Sequence, residues 1–398
     1  MPVVDRLTRQ RARIVRTIHR SGTASQRDLS RATHLNTGSI SVLCRQLLAD
    51  GMIEVAGTEA AGVGRPLTLF RLAAMAGRAI GIGIDEDQIS AVSIDLAGGV
   101  LAHSLSALGP CRSNDDLLTA IDSAIAPMVE RPAGARVPLL GIGVALPGVV
   151  DYMAGICRFC SRIPGPRDVP VRAALARQWD VHSTVDDYVR AMAIAEHRYG
   201  AARRVRDFLY VVADTSVGAA LFLDGRPYRG TRGMSGEVGH IVVDLTGPWC
   251  GCGKRGCLEV IVGRRAIEQV AEQVAGNAAG ASLAGMAAAA AHGEQFPVKL
   301  LTYAGERLGQ CIATAINVVG VELVVLGGCV PLASPLVVDA VRTAARLGTV
   351  AGIDPVIELS ALDDTAAARG AATLALDELF AEDGHALAVT ATKKERVA

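Results

Sequence analysis

Gly233-Met-Ser-Gly-Glu-Val-Gly-His240, followed by Cys250-Gly-Cys252-Gly-Lys-Arg-Gly-Cys257-Leu-Glu259, is the most chemically constrained part of this 398-residue chain. Cys250, Cys252 and Cys257 are spaced C-x-C-x4-C, and His240 lies ten residues before the first of them. Three thiolates and an imidazole complete a tetrahedral structural zinc site with no position left for water, and soft thiolates favour zinc over harder cations. The interleaved glycines suit a chain that must wrap closely around an ion. The segment after His240, Ile241-Val-Val, reads as strand-like. The plain alternative is a glycine-rich turn that happens to hold cysteines.

The pattern Gly-Glu-Val-Gly-His … Cys-x-Cys-Gly-x-x-Gly-Cys-Leu-Glu resembles the signature of the ROK (repressor, ORF, kinase) family. That family joins sugar kinases and sugar-responsive repressors on an actin-like, ribonuclease H-like α/β body of two subdomains. In it the His and the three Cys hold zinc. The Glu of the first motif, the same His and the Glu after the last Cys contact sugar hydroxyls. The resemblance therefore implies a zinc set of His240, Cys250, Cys252 and Cys257, and sugar contacts from Glu237, His240 and Glu259.

Bulk properties narrow the branch. Half the residues are hydrophobic, enough for a packed core, and the formal charge is zero. That balance hides an asymmetry: residues 1–72 hold eleven Arg, no Lys and five acidic residues, a net +6 set against −6 in the rest. A basic module on an acidic body implies a polyanion partner for the first part. The start of the chain lacks the apolar core of a signal peptide, and no apolar run reaches membrane-spanning length. Three of the nine cysteines are assigned to metal, and the rest fit a reducing cytoplasm better than a disulfide scaffold. Cys157-Arg-Phe-Cys160 is an isolated C-x-x-C pair, with no second pair to complete a metal site.

The basic segment reads as a winged helix-turn-helix. Gln10–Arg20 places Ile14, Val15 and Ile18 on one helical face. Ser25 caps a second helix, Gln26–Thr33, with Leu29 and Ala32 inward, and Asn36 or Thr37 caps a third, Gly38–Ala49. Met52–Ala56 and Leu67–Leu72 are short strands around a glycine-rich wing. On the third helix Thr37, Ser39, Ser41 and Arg45 are the candidates to read a major groove. Arg65, in the tip Gly62-Val-Gly-Arg65-Pro66, is the candidate for a narrow minor groove. The partner implied is a double-stranded, pseudo-palindromic operator bound by a homo-oligomer, dimer or tetramer. Repressors of the resembled family carry such a module, and its kinases lack it.

The map that follows is residues 1–72 winged helix, 73–78 linker, 79–187 first subdomain with a returning helix 365–380, 188–364 second subdomain, and 382–398 a flexible tail. Strands are expected at Ala79–Ile84, Ile89–Leu96, Val100–Ala107 and Leu139–Leu146. Helices are expected at Val262–Gly276 and Pro331–Leu347.

Against the resemblance, the kinase elements are altered. Where kinases have Asp-x-Gly-Gly-Thr, this chain has Asp85-Glu86-Asp87-Gln88; where they have Gly-Thr-Gly, it has Asp214-Thr215-Ser216. Carboxylates thus stand where nucleotide phosphates would dock, so no ATP is expected. The Asn-Asp pair that ends in the catalytic base falls on Asp187-Tyr188, and a phenol with a pKa of about 10 is no base near neutrality. Ser161 holds the place of a sugar-binding Asn. The reading is a non-enzymatic regulator, a repressor of carbohydrate-related genes with a sugar effector contacting Ser161, Asp187, Glu237, His240 and Glu259. A sugar kinase with an added DNA-binding module, and a regulator whose sugar pocket has died, are the alternatives.

Overall fold

A computed structural model describes residues 6–59, 66–130, 137–275 and 281–381. The chain divides into two compact units, residues 1–192 with 364–398, and residues 193–363.

The first unit begins with α1 (Arg6–Ser21), the two-residue strand β1 (Ala24–Ser25), α2 (Gln26–Thr33) and α3 (Thr37–Ala49). The antiparallel strands β2 (Ile53–Glu59) and β3 (Leu67–Leu72) follow. Their sheet runs β1-β3-β2. The start of α2 is set by a reciprocal cap: Asp28 N donates to Ser25 Oγ at 3.2 Å, and Ser25 N donates to Asp28 Oδ2 at 3.0 Å. Asn36 caps α3, with Ser39 N donating to its Oδ1 at 2.8 Å. Ile14, Val15 and Ile18 are fully buried, as their spacing requires. Ala32 differs from expectation: it is exposed, and Thr33 is buried in its place because its hydroxyl donates to Leu29 O within the helix. The wing tip, Arg65 included, lies outside the described residues.

Ala74–Ala76 form a short 3₁₀ turn. The body then runs through β4 (Arg78–Ile84), β5 (Gln88–Asp95), β6 (Val100–Ala107), α4 (Asn114–Glu130) and β7 (Leu139–Leu146). A three-stranded sheet, β8 (Gly148–Asp151), β9 (Ile156–Cys160) and β10 (Arg167–Val169), precedes α5 (Val171–Trp179) and β11 (His182–Asp187). Next is α6 (Tyr188–Tyr199), which begins in this unit. The main sheet has the order β11-β7-β4-β5-β6, antiparallel through β4, β5 and β6 and parallel through β4, β7 and β11.

The second unit repeats that plan. β12 (Phe208–Ala213), β13 (Val217–Leu223) and β14 (Arg226–Tyr228) are antiparallel neighbours. After α7 (Glu259–Val262), α8 (Arg264–Ala275), α9 (Leu283–Ala291) and α10 (Gln295–Val319) comes β15 (Leu323–Gly327). α11 (Cys329–Ala333), α12 (Pro335–Gly348) and β16 (Val356–Leu359) follow, and the sheet order is β14-β13-β12-β15-β16. The two sheets thus share one topology. Of the expected helices, Val262–Gly276 begins two residues late, as α8, and Pro331–Leu347 is divided. Gly263 separates α7 from α8, and Ser334 caps α12 with Pro335 at its first turn, where a missing N–H costs nothing. Ile241-Val-Val is not a strand: a 3₁₀ turn covers Val238–His240, and only an isolated bridge links Val242 to Cys257.

α13 (Ala366–Ala381) returns to the first unit and is buried on nearly every face. Its small residues allow close approach to the sheet. A side chain on Gly143 would stand 1.9 Å from Ala371 O. The same helix meets the winged helix, so one apolar core runs from Ile14, Ile18 and Leu29 to Val92, Leu376 and Phe380. Residues 382–398 lie outside the described residues. Among the described residues, no helix is long and apolar enough to cross a membrane.

Candidate functional site

The donor atoms of His240, Cys250, Cys252 and Cys257 all lie within 4.8 Å of one another. Cys250 Sγ is 3.6 Å from His240 Nδ1, and Cys252 Sγ is 3.5 Å from Cys257 Sγ. Bonds of about 2.3 Å to sulfur and about 2.0 Å to nitrogen give tetrahedral edges of about 3.5–3.8 Å, so the cluster fits a four-coordinate metal ion. The loop is held by its own backbone: Cys250 N donates to Lys254 O at 2.8 Å, and Val243 N to Gly256 O at 2.8 Å. Gly256 has φ +65°, and a Cβ there would lie 1.4 Å from Asp244 O, so this turn admits only glycine. The Lys254 N–H lowers the Cys252 thiol below its ordinary range, while burial pushes the Cys250 and Cys257 thiols up.

Around this loop the structure brings the sugar candidates of the second unit towards β13. Glu259 Oε2 accepts from Val217 N at 3.2 Å. Gly239, next to His240, lies against Val217 O, and Gly236 O accepts from Ala219 N beside the exposed Glu237.

In the first unit the parallel strands β4, β7 and β11 end together, at Asp85, Pro147 and Asp187, the edge of an α/β sheet where ligands usually bind. Ser161 is exposed beside it, its N donating to Pro147 O at 3.0 Å. Asp187 is half-buried; burial pushes its carboxyl above the usual range, and the Arg190 charge offsets this only partly. Tyr188 packs against Ala145, Ala191, Ala367 and Ala371, as a structural ring would. Arg162, which sequence reasoning missed, forms an ion pair with Asp85. Nothing local marks it, because its partner is 77 residues away.

Asp214 is likewise held by the chain itself. Asp214 Oδ2 accepts from Cys329 N at 3.2 Å, Thr215 N donates to Asp214 Oδ1 at 2.7 Å, and Arg264 Nε lies 3.8 Å from the same carboxylate. Burial, with the Asp214 charge, pushes the Cys329 thiol up to about 12.

On α3, Thr37 and Arg45 are exposed, Ser41 is half-exposed, and the three share a face at four-residue spacing. Ser39 sits half-buried on the opposite flank, against the Asn36 cap. Val42, 48% exposed, lies at the centre of the solvent face, where an apolar side chain can meet a thymine methyl. The sequence pattern gave no reason to select it, since a lone exposed valine is common. Arg9, Arg13 and His34 line a shallow depression beside this helix.

The ROK family profile matches residues 79–378, three quarters of the chain, with the metal cluster inside the match. The chain belongs to the ROK family. A MarR family profile matches residues 7–65, the winged helix that precedes the ROK body. The fold is therefore a winged helix-turn-helix followed by an actin-like α/β body. Among similar proteins is the xylose repressor of Bacillus spizizenii, 29% identical over 64% of this chain and 65% of that one; the matched stretch spans just under two thirds of that relative. The DNA-binding transcriptional dual regulator NagC of Escherichia coli is 28% identical over 83% of both chains. A crystal structure of a ROK family transcriptional regulator, a homologue of the E. coli MLC protein, superposes with a TM-score of 0.82 at 25% identity, covering 96% of this chain and 98% of that one. A ROK hexokinase from Thermus thermophilus gives a TM-score of 0.65 at 29% identity, covering 76% of this chain and 99% of that one.

Proposed function

We propose that the chain is a DNA-binding transcriptional repressor of carbohydrate-related genes, released or engaged by a sugar, and not an enzyme. The observation that carries this reading is a winged helix joined to a ROK body in which carboxylates, Asp87 and Asp214, replace glycines of the resembled kinases' two phosphate motifs. Phosphoryl transfer rests on positioning and on neutralising phosphate charge, and both carboxylates oppose that. The names of the relatives above, xylose repressor and transcriptional regulator, support the same reading.

In this reading residues 1–72 are the reader, 79–187 with 365–380 and 188–364 are the two subdomains, and zinc occupies the His240, Cys250, Cys252 and Cys257 set. The metal, when bound, fixes the loop that carries Glu237 and Glu259. His240 turns Nδ1 towards Cys250, which leaves Nε2 as its atom for a sugar contact. Ser161 and Asp187 are the candidates for sugar contact within the first unit. Thr37, Ser41, Val42 and Arg45 face the major groove, and Arg65 and Ser39 contact the backbone or the minor groove. A homo-oligomer, dimer or tetramer, reads a pseudo-palindromic duplex, and the sugar shifts a balance between DNA-competent and DNA-incompetent states.

The kinase alternative is tested by ATP turnover with a panel of hexoses and N-acetylhexosamines. No turnover above background supports the repressor, and turnover at kinase rates overturns it. Isothermal titration of the same panel separates a live sugar pocket from a dead one: heat from one sugar supports the effector, and silence throughout leaves the body as a scaffold.

A further inference from the structure

A β-bulge in the first unit brings two thiols together. β9 pairs with β8 as Gly148↔Cys160, Val149↔Phe159 and Val150↔Cys157, which makes Arg158 the extra residue. In an unbroken strand, residues three apart point to opposite faces; one added residue restores them to the same face. Cys157 and Cys160 are accordingly 0% and 7% exposed, while Arg158 and Phe159 between them are exposed. The two Sγ atoms are 3.5 Å apart, about 1.5 Å longer than a disulfide bond. Neither belongs to the metal cluster.

We propose that Cys157 and Cys160 form an oxidisable dithiol that hydrogen peroxide converts into an intrachain disulfide. The pair is polarised. Hydrogen bonding from the Cys157 thiol lowers the pKa of Cys160, and the same bond together with burial pushes Cys157 up. Cys160, the less buried of the two, is therefore the attacking thiolate. It attacks one peroxide oxygen, the O–O bond breaks, and a sulfenic acid forms as hydroxide leaves and takes a proton to become water. The Cys157 sulfur then attacks the sulfenic sulfur, the S–O bond breaks, and a second water departs with the Cys157 proton. Two thiols and one peroxide give one disulfide and two waters.

The site lies directly before residues of the candidate sugar edge. Ser161 N donates to Pro147 O, and Arg162 pairs with Asp85. Closing the bridge draws in the strand end from which both residues emerge.

Tryptic mapping of the full chain provides the test. Trypsin cuts after Arg158, so the reduced protein yields Cys157 and Cys160 in separate peptides, and the disulfide holds the two peptides together. After peroxide, quenching and alkylation in denaturant, the expected result is one linked species, two hydrogens lighter than the sum and separated by a thiol reductant. In Cys157→Ala the reaction stops at a Cys160 sulfenic acid, which dimedone captures. The proposal is overturned if both thiols remain alkylatable while the exposed Cys252 is oxidised, or if Cys160 is linked instead to Cys111. The wild-type map decides the matter by itself if the Cys157→Ala chain does not fold.

Discussion

His19 Nε2 lies 2.6 Å from Asp377 Oδ1, joining the first helix of the winged helix to the last helix of the body across 358 residues. The imidazole is 3% exposed and tilts against Phe380, with ring centroids 4.9 Å apart. Arg16 Nη1 donates to Ala381 O at 3.1 Å one turn earlier. The reader is therefore built into the core of the first subdomain. Replacing His19 by Ala removes a hydrogen bond to a carboxylate and a buried ring, and should cost about 2–3 kcal/mol. The winged helix should melt with the first subdomain in calorimetry. A separate early transition for the reader in the wild type would contradict the shared core.

Arg190 and Asp186 form a pair buried on both sides, with Nε 2.8 Å from Oδ1 and both side chains 1% exposed. Arg190→Met leaves a carboxylate buried without its counter-charge and should cost about 3–5 kcal/mol by urea denaturation. The double variant Arg190→Met/Asp186→Leu should recover most of that loss. If it is no more stable than the single variant, the cost lies in shape and not in charge.

Asp187 gives a pH signature. A carboxyl whose folded pKa is raised costs nothing below the unfolded value of about 3.9; its cost grows as pH rises from there to the folded value and is constant above it. Asp187→Asn keeps an acceptor for Arg190 N, the 3.0 Å partner of the carboxylate. It should be more stable than the wild type near pH 7 and no more stable near pH 3.5. An equal difference at both pH values would show that charge is not the cause.

Zinc content tests the loop. Elemental analysis should find one zinc per chain, and Cys257→Ser, at a fully buried position, should abolish it. Chelation should lower the melting temperature by about 5 °C or more, at about 2–4 °C per kcal/mol for a domain of this size. Unchanged melting after complete metal loss would remove the structural role.

Much of this was legible in the sequence because the signals are local. Ser25 and Asp28 sit three residues apart and cap each other, so the start of α2 could be placed from the sequence alone. The His and Cys ligands lie within eighteen consecutive residues, so spacing alone suggested the cluster. Other features depend on partners far along the chain. β11 reads His-Ser-Thr-Val-Asp-Asp, too polar to suggest a buried parallel strand, yet it pairs with β7 residue by residue. Arg162 acquires meaning only from Asp85, and Cys157 with Cys160 only from the bulge opposite β8. Ser334 divides a helix that the sequence reads as continuous over Pro331–Leu347.

The most direct test of the central claim is selection of genomic duplex fragments by the purified chain at modest salt, followed by anisotropy titration of the fragments recovered. The account predicts fragments sharing a pseudo-palindrome, tight binding that one sugar alters, and a loss of about 5–150-fold in Arg45→Ala, equivalent to about 1–3 kcal/mol. A chain that binds no duplex under these conditions, yet transfers the terminal phosphate of ATP to a hexose, would contradict it.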